Sequence, residues 1–156
     1  MELFKIVFDA TIRKTEAICR HDMNTAPRYE LTQLEDEAIV LVKHYGHLTA
    51  EHMRKTRQEV TDYINALPEP IAVITDFEDA ESGLADVIAL ITQDRAHGTP
   101  TVTVRRTSIF VGTNPLIRMY SQAMRKLPFG DYGFIVCKDM DKALAFARDY
   151  LRIRDA

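Results

Sequence analysis

The residues best suited to chemistry lie between a short apolar run and a predicted helix. Ile71-Ala72-Val73-Ile74 is rich in β-branched residues and too short for a helix, which predicts a buried strand. An apolar helical period begins at Leu84. Ligands and partners of open α/β sheets meet the carboxyl ends of the strands, so we expect the intervening acidic loop to be a switch or partner-binding site. Its candidate residues are Asp76, Glu78, Asp79, Glu81, Ser82 and Gly83.

Ser82 has two possible roles at this helix start. A serine at a helix N-terminus satisfies an orphan backbone N–H, and a phosphoserine there gains from the helix dipole. No lysine or arginine occurs between Pro70 and Asp94, so a doubly charged phosphate would meet repulsion from the neighbouring carboxylates. We therefore expect Ser82 to cap the helix and the acidic residues to form a permanently negative surface.

A basic segment follows the acidic one. From Arg105 to Gly130 the chain has five cations and no acid, and these are Arg105, Arg106, Arg118, Arg125 and Lys126. A basic face beside an acidic one suits self-association or a charged partner, although an ordinary solvated surface has the same composition. Nucleic acid is not an expected partner, because the net charge is −3 and few aromatic residues lie among the cations.

Two further groups of residues are candidate binding sites. Gly112, Thr113 and Asn114 precede a proline, which predicts a helix start and also offers backbone N–H groups to a small anion. His44, His47 and His52 are close in sequence but fall on a strand end and a helix, so we expect no metal there. No spacing predicts a catalytic triad or a cofactor site, and we expect no catalytic residues.

Length and composition favour one domain with an appendage. The chain has 156 residues, of which 46% are hydrophobic. Cys19 and Cys137 are isolated, which favours a reducing, cytoplasmic setting. Charged residues interrupt the apolar residues of the first 14 positions, so neither a signal peptide nor a membrane span is expected.

The elements that position these residues alternate along the chain. Residues 1–22 carry Phe4, Val7, Phe8, Ile12 and Ile18 at helical spacing, which predicts an amphipathic helix. Residues 1–27 would then be an extension, and residues 28–156 the main domain. That domain has the predicted order β-β-α-β-α-β-α-β-α: a hairpin (29–34 and 38–45), helices near 50–66, 83–96, 115–127 and 139–153, and strands at 71–74, 101–104 with 108–111, and 132–138. The apolar side of the extension predicts a homodimer that buries it.

Three local sequences resemble those of the STAS domain (sulfate transporter and anti-sigma factor antagonist), and of its SpoIIAA-like relatives in particular. Glu81-Ser82-Gly83-Leu84 resembles the Ser-Ser-Gly-Leu that opens the second helix of anti-sigma factor antagonists. Ser108-Ile109-Phe110-Val111-Gly112 and the Ala-rich Ala143-Leu144-Ala145-Phe146 are similar to the ending of SpoIIAA-like proteins. The resemblance covers residues 29–152. It implies an α/β fold with a mixed sheet of four to five strands, mostly parallel with an antiparallel N-terminal hairpin, packed with about four helices.

The resemblance also implies a function. The antagonists carry Asp-Ser-Ser, of which the second serine is phosphorylated, and this chain has Ala80, Glu81 and Ser82 in those places. We therefore expect a non-enzymatic module that acts in bacterial regulation by binding an unidentified protein. The alternatives are a small-molecule or lipid-binding module with an apolar cleft and, less favoured, a small enzyme with its site at Asp76 and Ser82.

Overall fold

One six-stranded sheet organises the protein. The structure, a computed structural model, describes residues 12–14, 26–97, 106–125 and 134–155. The strands are β1 (Ile12–Lys14), β2 (Arg28–Leu34), β3 (Ile39–Leu48), β4 (Ile71–Ser82), β5 (Arg106–Val111) and β6 (Phe134–Cys137). The helices are α1 (Ala50–Asn65), α2 (Leu84–His97), α3 (Pro115–Arg125) and α4 (Met140–Asp155). The strands lie in sequence order, with β1, β2 and β3 antiparallel and β3 to β6 parallel. The predicted mixed α/β sheet is confirmed, and β1 is an additional strand.

The strand order explains where the helices lie. Three successive parallel connections advance across the sheet in one direction, and right-handed crossovers then place α1, α2 and α3 on the same face. The other face is left to α4, which packs against β4, β5 and β6. The predicted caps hold at three of these helices. Thr49 accepts a hydrogen bond from the His52 N–H (3.2 Å), Asn114 accepts one from the Leu116 N–H (2.9 Å), and Asp139 accepts one from the Lys142 N–H (2.9 Å).

Alternation along the strands divides the core between the two faces. Ile74 and Ile109 pack under α4 with Ala143, Ala147 and Leu151. The neighbouring positions of the same strands face the other way. There the core consists of Val40, Val42, Val60, Ile64, Ile71 and Val73, between the sheet and α1.

The acidic segment is a strand, so the predicted loop is wrong. β4 is 12 residues long and continues from Ile71 through all the acidic positions to Ser82. β3 likewise continues past Gly46, where it was predicted to end, because Gly46 adopts a positive φ of 75°. Tyr45 to Leu48 pair with Asp79 to Ser82 after a register shift between Lys43 and Tyr45. This pairing gives the acidic stretch backbone partners that a loop would lack.

The predicted N-terminal helix is wrong where the structure describes that segment. Ile12–Lys14 is a strand that pairs with Leu34, Gln33 and Thr32 of β2. The rest of residues 1–22 and the predicted strand at 101–104 lie outside the described residues. None of the described helices is both long enough and apolar enough to cross a membrane.

Candidate functional site

A cavity of about 190 Å³ lies between the sheet and helices α1, α2 and α3. Strand residues that face this side form its floor, and these include Val42, His44, Val73, Thr75, Phe77, Ser108, Phe110 and Phe134. Apolar side chains of the three helices form most of its walls, and these include Met53, Val60, Ile64, Val87, Leu90, Leu116 and Ile117. The cavity is thus mostly apolar, as ligand sites are.

Four rings cross its floor in a row, one from each of β3, β4, β5 and β6. His44 is stacked on Phe77 with the ring centroids 5.1 Å apart and the planes 3° apart. Phe77 meets Phe110 edge-on at 5.6 Å, and Phe110 stacks on Phe134 at 4.8 Å. Phe110 pairs with Thr75 and Phe134 pairs with Ser108, so Phe77 and Phe110 each lie two positions from the strand partner of the next ring residue. The four rings therefore form a diagonal row across the sheet, held by ring-to-ring contacts.

His44 is a buried polar residue in this aromatic floor. It is 4% exposed, and its Nδ1 has no hydrogen-bond partner. Burial, and then the imidazole of His52, lower the pKa of His44 to about 3, so the ring is neutral at pH 7. The ring centroids of His44 and His52 are 6.1 Å apart. Within the described part of the chain, no group of three or more His, Cys, Asp or Glu residues is placed to hold a metal ion.

A buried ion pair joins the three helices that cover the cavity. Arg57 of α1 donates through Nη1 and Nη2 to the two carboxylate oxygens of Asp94 in α2, and the Nη1 bond is 2.7 Å long. Tyr120 of α3 donates to Asp94 Oδ2 (2.8 Å) and accepts from Arg57 Nη1 (3.1 Å). Burial alone lowers the pKa of Arg57, but Asp94 and Tyr120 together raise it above its ordinary value. Burial also raises the pKa of Tyr120, so both groups keep their protons.

The predicted switch residues are divided between two places. Asp76 lies between the cavity residues Thr75 and Phe77, and alternation turns its side chain to the opposite face of the sheet. There Lys43 Nζ lies 3.9 Å from Asp76 Oδ2 and 2.7 Å from Asp79 Oδ2. The hydrogen bond with Asp79 raises the pKa of Lys43. The negative charge expected from the sequence is therefore partly neutralised by a lysine of the neighbouring strand.

Glu81, Ser82 and Gly83 lie at the cavity end of β4. Glu81 and Ser82 line the cavity. Ser82 Oγ donates to the Leu48 carbonyl of β3 (3.0 Å), and the capping carbonyl of α2 is that of Gly83, which accepts from the Val87 N–H (3.1 Å). The predicted capping role of Ser82 is therefore wrong, because the hydroxyl is used between strands. Glu78 is exposed, and its N–H donates to Asp76 Oδ1 (2.8 Å).

The basic residues are not brought together into one face. Arg106 is paired with Glu69 (2.9 Å) at the amino end of β5, the opposite end from the acidic residues of β4. Arg118 is exposed on α3, and Arg125 donates to the Phe134 carbonyl (3.0 Å). Arg105 and Lys126 lie outside the described residues.

The residues of the predicted anion site form hydrogen bonds within the protein. The Gly112 N–H donates to the Cys137 carbonyl (3.2 Å), and Asn114 Oδ1 accepts from the Leu116 N–H (2.9 Å) as α3 begins at Pro115. Thr113 is exposed beside them. Two groups that a bound anion would use therefore already have protein partners, which favours the capping role of this segment.

The sequence reasoning missed the ion pair and the aromatic floor. Asp94 follows Val87 and Leu90 at helical spacing, and Arg57 lies between Met53 and Val60 on the same apolar side of α1. Opposite charges on the inner faces of two successive helices were the available signal for a buried pair. The aromatic floor had a weaker signal, one ring within each of the four parallel strands.

The fold resembles known structures at low sequence identity. An anti-sigma factor antagonist from Mycobacterium paratuberculosis aligns with a TM-score of 0.54 and 14% identity, over 83% of this chain and 100% of that one. An uncharacterised protein with a SpoIIAA-like fold from Shewanella loihica PV-4 aligns with a TM-score of 0.51 and 14% identity, over 83% of this chain and 99% of that one. No protein-family model matches the sequence, and the comparison with curated proteins gave no significant match. The chain has the STAS/SpoIIAA-like fold, which confirms the resemblance inferred from the sequence.

Proposed function

We propose that this chain is a non-enzymatic binding module that holds a small, mostly apolar molecule between the sheet and helices α1, α2 and α3. The observation that carries the proposal is the cavity of about 190 Å³ with its aromatic floor. An apolar cavity of about 150 Å³ is large enough to bind benzene. The space here therefore suits a molecule somewhat larger than benzene, such as a bicyclic aromatic. Ligand binding, the second choice from the sequence, becomes the first.

The geometry gives the enzyme alternative little support. That alternative needs Asp76 and Ser82 in one pocket with a histidine in hydrogen-bond reach. Asp76 faces away from the cavity toward Lys43, while the Ser82 hydroxyl donates to a backbone carbonyl. Among the described residues, no hydrogen bond joins either of them to a histidine.

A fluorescence titration tests the ligand proposal. The chain has no tryptophan, so the emission of naphthalene is measured without an indole background. We expect saturable binding of one naphthalene to the full chain. Thr75→Phe fills the cavity and should weaken binding at least about tenfold, which corresponds to roughly 1.4 kcal/mol. Thr92→Phe, at an exposed position of α2, is the matched control and should bind normally. Absence of saturable binding, or equal binding to Thr75→Phe, would contradict the proposal.

A second candidate function, the binding of a regulatory protein partner, is supported by the outer face of α2. Leu84 and Ile88 are 53% and 51% exposed and lie one helical turn apart. They directly follow Ser82 and Gly83, in the segment that resembles the antagonist motif, and Glu81 is exposed beside them. An exposed apolar pair beside a carboxylate suits a partner with an apolar contact and a basic rim.

A charge introduced on this surface tests the partner proposal. Ile88→Lys should abolish the capture of specific proteins from the native cell, because it places a charge at the centre of the apolar contact. Ile153→Lys is the control, because Ile153 is an exposed isoleucine at the far end of the chain on α4. Equal capture by wild type and both variants would rule out this face of α2 as the contact.

We also propose a homodimer in the cytoplasm. The sequence of residues 1–27 includes Phe4, Val7 and Phe8, and β1 extends the sheet at its β2 edge. The isolated cysteines support a reducing compartment. Light scattering should give a dimer for the full chain and a monomer for a chain that begins at Arg28. A monomeric full chain, or a truncated chain that still dimerises, would contradict the assignment.

A further inference from the structure

We propose that the molecule held in the cavity is not an anion and carries a hydroxyl group that hydrogen-bonds the imidazole of His44. This inference rests on the proposed function, the binding of an apolar molecule. It adds the chemical class that the site selects among molecules of suitable size.

His44 is the reason to expect a polar group on the ligand. It lies in the cavity floor between Val42 and the end of β3, with its ring stacked on Phe77. Its Nδ1 is buried and has no hydrogen-bond partner. Buried polar atoms in proteins nearly always have such a partner, and an unpaired one costs free energy. A ligand that supplies the partner removes that cost.

A hydroxyl is the group that fits this imidazole best. The ring is neutral at physiological pH because burial lowers the pKa of His44 to about 3. A neutral imidazole has one nitrogen that donates and one that accepts. A hydroxyl both donates and accepts, so it pairs with His44 whichever tautomer is present and whichever nitrogen turns toward the ligand.

The remaining charges of the lining exclude an anionic ligand. Arg57 already donates two hydrogen bonds to Asp94, and Arg106 is paired with Glu69. Glu81, the other ionised group of the lining, is exposed to solvent and repels an anion. A carboxylate on the ligand would therefore be buried without a counter-ion.

Three probes of one size separate these requirements in the full chain. Naphthalene tests the apolar cavity alone, 1-naphthol adds the hydroxyl, and 1-naphthoate adds a negative charge. We expect 1-naphthol to bind roughly fivefold more tightly than naphthalene, the effect of one net hydrogen bond. We expect 1-naphthoate to bind at least about 100-fold more weakly than 1-naphthol, because its charge is not compensated.

Two matched variants test the role of His44. His44→Leu removes the polar partner and keeps an apolar floor, so naphthalene should now bind at least as tightly as 1-naphthol, whose hydroxyl would be buried unpaired. His47→Leu changes an exposed histidine of the same strand and should keep the wild-type order of probe affinities.

Imidazole NMR of the wild-type chain supplies a readout that needs no variant. The His44 ring nitrogen resonances should shift with 1-naphthol more than with naphthalene.

The possible results separate this inference from the function on which it rests. If the three probes bind equally, or if His44→Leu keeps the wild-type preference, the hydroxyl assignment is overturned and the apolar cavity stands. If 1-naphthoate binds most tightly, the exclusion of anions is wrong. If none of the probes binds, both the inference and the proposed function fail.

Discussion

The buried pair of Arg57 and Asp94 gives the sharpest prediction about stability. The Asp94 side chain is 1% exposed and that of Arg57 is 28% exposed. Removing one member of a buried, hydrogen-bonded ion pair costs about 3–5 kcal/mol, because the other charge is left without compensation. Since Arg57 keeps some contact with solvent, we expect Asp94→Leu to lie at the low end, near 3 kcal/mol. With a urea m-value of about 2 kcal/mol/M, the unfolding midpoint should fall by roughly 1.5 M.

The double variant separates the pair from the packing around it. Arg57→Leu with Asp94→Leu removes both charges and leaves only the Tyr120 hydroxyl without its acceptor, a loss of about 1 kcal/mol. It should therefore be more stable than Asp94→Leu alone. Asp149→Leu is the surface control, because its ion pair with Arg152 is largely exposed and should contribute less than about 0.5 kcal/mol.

The assay is urea unfolding followed by circular dichroism, with five chains compared at one pH: wild type, Asp94→Leu, Arg57→Leu, the double variant and Asp149→Leu. A loss of unfolding free energy below about 1 kcal/mol for Asp94→Leu would refute the reasoning, since a buried guanidinium without its counter-ion should destabilise the fold by more than that. A double variant whose loss equals the sum of the two single losses would refute it as well, because the residues would then act independently.

Three further predictions concern pH, phosphorylation and backbone strain. The pKa of His44 is about 3 in the folded chain and 6.5 when exposed, so the free energy of unfolding should decrease by up to about 1.4 kcal/mol per pH unit as the pH falls from 6.5 toward 3. Urea unfolding at pH 7.5 and at pH 5 should show this decrease, and most of the decrease should be absent in His44→Leu. Ser82 should not be phosphorylated to stoichiometry by anti-sigma-type kinases, since its hydroxyl is bonded to Leu48 and Glu81 opposes the phosphate; mass spectrometry with substantial phosphate on Ser82 would contradict this. Gly112→Ala should cost about 1–3 kcal/mol in thermal unfolding, because a residue with a side chain rarely adopts the φ of 148° found here; an unchanged unfolding temperature would contradict it.

The order of the elements from β2 onward could be predicted because these elements carry local signals. The helix that follows Thr49 begins with a capping side chain, and Pro115 is the first residue of α3. The length of β4 could not be predicted in this way. Its acidic second half has poor strand propensity, and it becomes a strand only because β3 continues past Gly46 and pairs with it. That pairing depends on contacts between residues more than 30 positions apart.

The residues that form the cavity could not be predicted from the sequence, for a related reason. Each floor ring belongs to a different strand, so the row exists only once the parallel register is fixed. The Arg57 and Asp94 signal was present in the helical periods, but a partner for each charge could be chosen only after α1 and α2 were known to be neighbours. The negative surface expected from the acidic segment was overestimated for a different reason. The acidic residues are adjacent in sequence, whereas Lys43, which partly neutralises them, lies on the neighbouring strand.

Helix α2 connects the two binding functions proposed for this chain. Its inner side supplies Val87 and Leu90 to the cavity wall and Asp94 to the ion pair, while its outer side exposes Leu84 and Ile88. A packed helix moves largely as a unit, because its interior contacts are close-packed and resist local deformation. A molecule that fills the cavity therefore contacts the same rigid element that presents the apolar pair to a partner. If such a molecule binds more tightly to one position of α2 than to another, it changes the affinity for the partner. This form of regulation requires no phosphate on Ser82.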